Sequence, residues 1–167
     1  MSQLNYLAGY PEVVQTQIQS MLEKGSLGEF LLKKYPVAHD INNNKALYAY
    51  VMDLKSQFLR KSNPISKVIF DDKLNVVHQA LGLHSFVSRV QGGKLKSKNE
   101  IRIGSVFKKV PLEFLRMIAV HELAHLKEKD HNKAFYKLCC HMEPDYHQLE
   151  FDLRVYLSYV EQSGTLY

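Results

Sequence analysis

The chain has 167 residues, and its 22 Lys or Arg side chains against 17 Asp or Glu side chains give a net charge of +5. This length corresponds to a single domain, residues 1–167, and a hydrophobic content of 46% excludes a disordered or fibrous protein. The longest apolar runs are far shorter than the roughly 20 residues that cross a bilayer, so we expect no membrane-spanning segment.

Two further features predict a location. The first residues show no basic stretch followed by an apolar core, so no secretory signal is expected. Cys139 and Cys140 are adjacent, and a disulfide between neighbours is badly strained. We therefore expect reduced thiols, a cytoplasmic protein and a monomer.

Residues 1–62 predict a helical N-terminal part. Apolar residues recur at helical spacing in three segments, which are separated by Gly25 and Gly28 and then by Pro36. Asn43 or Asn44 can cap the third segment. Its apolar face consists of Leu47, Val51, Leu54 and Phe58.

In the middle of the chain, the spacing of apolar residues changes from the helical period to one typical of strands. Residues 65–70 predict a strand, residues 74–81 predict a short helix or a second strand, and residues 85–91 and 100–104 are extended candidates. Gly92, Gly93 and a lysine-rich stretch join the last two, which indicates a hairpin. We therefore expect a small, mainly antiparallel sheet.

The last third is predicted to be helical again. One helix begins after Pro111, a second begins near Asp130 and stops before Pro144, and a third begins at Asp145 with Gln148 in a capping-box position. The order of helices, small sheet and helices predicts an α+β fold, with a helical part at 1–62 and a core at 63–162.

The sequence His121-Glu122-Leu-Ala-His125 lies in the first of these helices. Histidines four residues apart share one helix face, so two imidazole nitrogens can converge on one metal ion. Glu122 lies beside them and can take a proton from a metal-bound water. The pattern indicates a metal-dependent hydrolase.

The third ligand is predicted to be His131. A straight helix would place it ~9 Å further along the axis than His125, so the helix must end within the charged residues 127–130. Asp130 can then cap a new helix that returns His131 to the metal. Side chains on the following helices remain alternative ligands: Glu143, His147 and Glu150.

These motifs, together with His131-Asn-Lys-Ala-Phe135, resemble the YgjP-like predicted metal-dependent hydrolases, which are related to SprT-like and WLM zinc metallopeptidases. The similarity covers about residues 65–157. The resemblance implies a zincin-like core, His121, His125 and His131 as zinc ligands, and Glu122 as the general base. The chain lacks the Trp that many relatives carry in a strand near residue 89, so we expect different substrate contacts there.

A basic segment, residues 89–109, carries most of the positive charge. One acid, Glu100, accompanies seven cations, so the segment has a charge of +6 and the rest of the chain −1. It predicts either a phosphate-binding patch, open to nucleic acid, or a solvated hairpin arm. The cations are Arg89, Lys94, Lys96, Lys98, Arg102, Lys108 and Lys109.

The leading hypothesis is a cytoplasmic zinc metallopeptidase, although another divalent transition metal would also suit three histidines. The main alternative is a nucleoside triphosphate pyrophosphatase or a ribonuclease with the same metal site, and a third is a non-catalytic, zinc-stabilised nucleic-acid adaptor. Candidate contacts to a peptide or nucleotide substrate are Arg89, Lys94, Arg102, Tyr136 and Tyr146.

Overall fold

A computed structural model describes residues 5–74 and 99–167. The predicted elements at residues 75–98, including the first arm of the hairpin, lie outside the described residues. Six α-helices and two strands are described, with short 3-10 helices at Asn5–Leu7 and Ser105–Lys109. They are α1 (Glu12–Glu23), α2 (Leu27–Lys34), α3 (Asn44–Phe58), β1 (Ile65–Asp71), β2 (Asn99–Gly104), α4 (Leu112–Ala124), α5 (Lys133–Met142) and α6 (Tyr146–Ser163).

The α+β class is confirmed, but the direction of the described strands was predicted wrongly. β1 and β2 pair in parallel, with Val68 opposite Ile101 and Phe70 opposite Ile103. Parallel strands need a connection of a dozen or more residues, and residues 72–98 supply it. Alternation of apolar residues indicates which strand face is buried, but it carries no information about strand direction.

Helix α4 lies at the centre of the fold. From Phe114 to Ala124 every residue except Arg116 is buried, so this helix is apolar on nearly all sides. A helix of that kind needs neighbours all round, and α4 contacts α3, α5, α6 and β2. Four residues of the His-Glu-x-x-His motif, His121 to Ala124, therefore lie in an almost fully buried helix, and His125 follows its last residue.

The helical N-terminal part packs against the C-terminal helices. The Tyr35 and Phe114 rings lie 4.9 Å apart, and Gly28 approaches Tyr159 so closely that an added Cβ would lie 2.9 Å from its ring. Buried residues of both parts belong to one hydrophobic cluster. The division at residue 62 stays a prediction. Within residues 5–74 and 99–167, no helix is long and apolar enough to span a membrane.

The starts of α3 and α6 show how local sequence determines where a helix begins. The Asn43 side chain accepts the Ala46 N–H and caps α3, as expected. The capping box expected at α6 does not form, because Gln148 donates to Asp152 instead and Asp145 makes no side-chain cap hydrogen bond. Asp145 nevertheless occupies the N-cap position, and Tyr146 is the first residue of that helix.

Candidate metal centre

Three histidine side chains meet where α4 ends. His131 Nε2 lies 3.1 Å from His125 Nε2 and 3.3 Å from His121 Nε2. His121 lies in α4, His125 is the residue that follows the helix, and His131 lies in the loop before α5. In residues 5–74 and 99–167, they are the group of His, Cys, Asp or Glu side chains close enough to share a metal ion.

The loop between the helices returns His131 toward α4. Helix α4 ends at Ala124, earlier than the segment where the sequence predicted its end, and turns continue through Lys127. The Asn132 side chain then accepts the Phe135 N–H and starts α5, so Asn132 takes the capping position that was expected for Asp130. The chain therefore reverses direction between the end of α4 and the start of α5, and neighbouring residues determine both positions.

The residues present fit a metal ion of the zinc type. Nitrogen ligands at ~2.0–2.1 Å from a tetrahedral ion lie about 3.3–3.4 Å from one another, and the observed separations of 3.1 and 3.3 Å are close to this spacing. His125 Nδ1 lies 2.9 Å from the Glu128 carbonyl oxygen, which can only accept a hydrogen bond. The proton of His125 is therefore on Nδ1, and the lone pair on Nε2 faces the cluster.

An aromatic side chain supports all three rings. The Phe135 ring centroid lies 5.0, 4.6 and 4.8 Å from the centroids of His121, His125 and His131 respectively. Packing of this kind restricts ring rotation and excludes water from one side of the group. Glu122 shares this enclosed environment, because it and His121 are each 1% exposed.

Tyr146 approaches the cluster from behind His121. Its hydroxyl lies 2.8 Å from His121 Nδ1, so it occupies the ring edge opposite to Nε2. The side chain is fully buried. Burial raises the pKa of the Tyr146 hydroxyl well above its usual value and that of the Cys139 thiol to about 12. This position does not suit the direct substrate contact predicted for Tyr146.

Tyr136 lies beside Tyr146, with the two ring centroids 6.3 Å apart. Its ring centroid is 6.4 Å from that of His131 and 5.3 Å from that of His147. Tyr136 is half-buried, whereas the His147 side chain is 60% exposed. Tyr136 and His147 thus form an aromatic wall that leads from the cluster to solvent.

The alternative third ligands have other partners. Glu143 Oε1 accepts from Arg116 Nε at 2.8 Å, and its other oxygen accepts the Asp145 N–H at 2.9 Å. Glu150 lies 3.6 Å from the His147 ring and 3.8 Å from the Arg154 guanidinium. None of Glu143, His147 and Glu150 belongs to the described cluster.

The described end of the basic segment is partly neutralised. Arg102 contacts Asp71 at 3.0 Å and Glu100 at 3.2 Å, and Lys108 Nζ lies 5.5 Å above the Phe70 ring. Arg89 and Lys94 lie outside the described residues. The Lys73 backbone N–H and the Arg102 guanidinium hold the pKa of the Asp71 carboxyl below its usual value. None of these contacts places Arg102 in the histidine cluster.

Sequence reasoning missed two supports of the site. The Glu128 carbonyl had no signal, because any residue supplies a backbone carbonyl at that position. The Tyr146 hydroxyl had a weak one, since a Tyr at the start of a helix that packs on α4 can reach back to it. Its partner His121 is 25 residues away in the chain.

Comparisons with known proteins agree with this geometry. A family described as "YgjP-like, metallopeptidase domain" matches residues 35–156. A curated Escherichia coli (strain K12) protein named "UTP pyrophosphatase" is 60% identical over 158 residues, which are 95% of this chain and 95% of that protein. No solved structure matches. The chain therefore belongs to the YgjP-like family and is a metal-dependent hydrolase.

Proposed function

We propose that this protein is a nucleoside triphosphate pyrophosphatase that hydrolyses UTP to UMP and pyrophosphate. The observation that carries the proposal is its 60% identity, over 95% of both chains, to a relative named UTP pyrophosphatase. A divalent ion held by the histidine cluster would suit such a reaction, because phosphoanhydride cleavage needs positive charge beside the reacting phosphates.

We assign the metal site to His121, His125 and His131, with zinc as the proposed ion. A bound divalent ion would act there as a Lewis acid that lowers the pKa of a water and offsets phosphate charge. The protein's contribution is to hold the three Nε2 atoms together before substrate arrives. Those of His121 and His125 lie within 3.3 Å of His131 Nε2. The Glu128 carbonyl and the Phe135 ring keep these imidazoles in place.

We assign the role of general base to Glu122. A water oxygen attacks the α-phosphorus, its proton passes to the Glu122 carboxylate, and the bond from the α-phosphorus to the bridging oxygen breaks. Pyrophosphate leaves with that electron pair. Glu122 directly follows His121 on α4 and is 1% exposed, so it can be close to the reacting water while shielded from bulk solvent.

The aromatic wall of Tyr136 and His147 is the proposed contact for the uracil base. It begins 6.4 Å from the His131 ring and ends at a side chain that is 60% exposed, so a planar base can reach it from solvent. Arg89 and Lys94 stay predicted phosphate contacts, whereas Arg102, which is already paired with Asp71 and Glu100, is expected to contribute little to substrate binding. A cytoplasmic location and a monomeric state also stay predictions.

A peptidase is the second candidate. It is favoured by the family's description as a metallopeptidase domain and by Glu122 directly after the first ligand. In that reaction Glu122 would pass the proton from water to the leaving amine. A nucleic-acid adaptor, by contrast, would not need Glu122 for any activity.

The test compares substrates on metal-verified protein. We expect UMP and pyrophosphate from UTP by chromatography, slower release from ATP, GTP and CTP, and no cleavage of casein or a peptide library. Glu122→Gln should retain the metal and lower kcat by roughly 10²–10⁴-fold. Glu113→Gln, an exposed carboxylate on the same helix, is the matched control.

Two results would contradict the proposal. Casein or peptide cleavage without UTP cleavage would establish the peptidase instead. Full UTP turnover by metal-loaded Glu122→Gln would remove Glu122 from the reaction.

A further inference from the structure

We propose that Tyr146 is a positioning residue, which holds His121 in the orientation and tautomer that a metal ligand requires. The proposal rests on the metal site assigned above, but it does not depend on whether the substrate is a nucleotide or a peptide.

The contact is direct and fully enclosed. The Tyr146 hydroxyl lies 2.8 Å from His121 Nδ1, and the two residues are 0% and 1% exposed. Phe135 packs against the same imidazole at 5.0 Å, with its ring at 78° to it. His121 is thus held by an apolar ring and a hydroxyl that come from two different helices, α5 and α6.

The protons can be assigned along this contact. A neutral imidazole carries one proton, so a ligating Nε2 requires that proton on Nδ1, where it donates to the Tyr146 oxygen. The Tyr146 oxygen, 2.8 Å from Nδ1, is therefore the acceptor in this contact.

A comparison with His125 shows why this support can be tested by mutation. His125 Nδ1 donates to the backbone carbonyl of Glu128, which no side-chain substitution removes. His121 instead depends on a side-chain hydroxyl that Tyr146→Phe deletes while its ring is kept. Loss of a hydrogen-bond partner behind a metal-ligating histidine typically lowers metal affinity by about 10–100-fold.

The experiment measures zinc affinity of the metal-free full chain by competition with a chromophoric chelator. We expect Tyr146→Phe to weaken zinc binding by roughly 10–100-fold, because His121 Nδ1 loses its hydrogen-bond partner. Tyr156→Phe is the matched control, since Tyr156 is buried at 2% exposure on the same helix. Cobalt(II) substitution should show an altered visible spectrum for Tyr146→Phe alone.

The outcomes separate this inference from the metal site itself. Wild-type zinc affinity in Tyr146→Phe, or an equal loss in Tyr156→Phe, overturns the positioning role. If Tyr146→Phe fails to fold, ¹⁵N NMR of the zinc-loaded wild-type chain decides. A slowly exchanging proton on His121 Nδ1 is expected, and its absence overturns the positioning role. His131→Ala that still binds zinc with wild-type affinity would instead refute the assigned ligand set.

Discussion

The histidine cluster and the basic segment were both predicted to be functional, but their side chains are arranged differently in the structure. Three imidazoles converge, two from the end of α4 and one from the loop before α5. His131 Nε2 lies within 3.3 Å of the Nε2 atoms of the other two. At the described end of the basic segment, Arg102 is held between two carboxylates, Asp71 and Glu100. One prediction rested on spacing and the other on charge.

Spacing is the more informative signal because helix geometry itself converts it into distance. Residues four apart on α4 share a face whatever the rest of the chain does. A run of like charge has no such constraint, since its counterions can come from elsewhere in the sequence. Asp71, which pairs with Arg102, is 31 residues away. Charge counting therefore overstates how much of a segment is available to a ligand.

The largest expected effect concerns the cluster. His131→Ala should reduce the metal content of the purified protein from about one ion per chain to nearly none, because a three-ligand site loses its ligand nearest both others. Elemental analysis measures this, and UTP hydrolysis should be lost with the metal. The control is His141→Ala, an exposed histidine whose ring packs on Phe58 at 5.6 Å. One ion per chain in His131→Ala would move the third ligand elsewhere.

The helices could be predicted further than the sheet. The apolar residues of α3 recur at helical spacing, and the structure buries Leu47, Val51 and Leu54. An amphipathic helix turns its apolar stripe toward the core, whichever elements form that core. The direction of β2 could not be predicted in the same way. It depends on the end of β1 at which the connection after residue 71 returns the chain, and that is a property of the connection and its packing.

The residues of the site also differ in how far the sequence could predict them. His121 and His125 follow from one helix, whereas the return of His131 depends on the early end of α4 and on the Asn132 cap, which are set over several residues. Tyr146 could be identified from the sequence as a candidate substrate contact, but not as a partner of Nδ1. That contact is created by the packing of α6 on α4.

The next prediction asks how much of the basic segment serves the substrate. Replacing Lys94, Lys96 and Lys98 together by Ala should raise the KM for UTP by roughly three- to tenfold at low salt and leave kcat nearly unchanged, because long-range attraction concentrates an anionic substrate. The difference from wild type should shrink as ionic strength rises. An unchanged KM at low salt would favour the solvated-arm interpretation of this segment.

Arg102→Ala should have a smaller effect than the triple lysine substitution. Its guanidinium is 41% exposed and already paired, so the free energy of unfolding should fall by less than about 1 kcal/mol and the KM for UTP should stay within about twofold of wild type. Urea unfolding and steady-state kinetics measure the two quantities. A KM increase as large as that of the triple variant would make Arg102 a phosphate contact after all.

The smallest expected effect is a pH dependence at Asp71. Its pKa is lowered by the Lys73 backbone N–H and by Arg102, so the charged carboxylate stabilises the folded state above the ordinary value of 3.8, and this contribution disappears as pH falls through the lower folded-state pKa. Asp71→Asn should therefore unfold with about 0.5 kcal/mol less free energy at pH 7, and the difference should close toward pH 3. In an Arg102→Ala background the difference at pH 7 should be smaller, because one of the two groups that favour the carboxylate is gone. A difference that grows as the pH falls would reverse the sign and exclude the Arg102–Asp71 pair as its source.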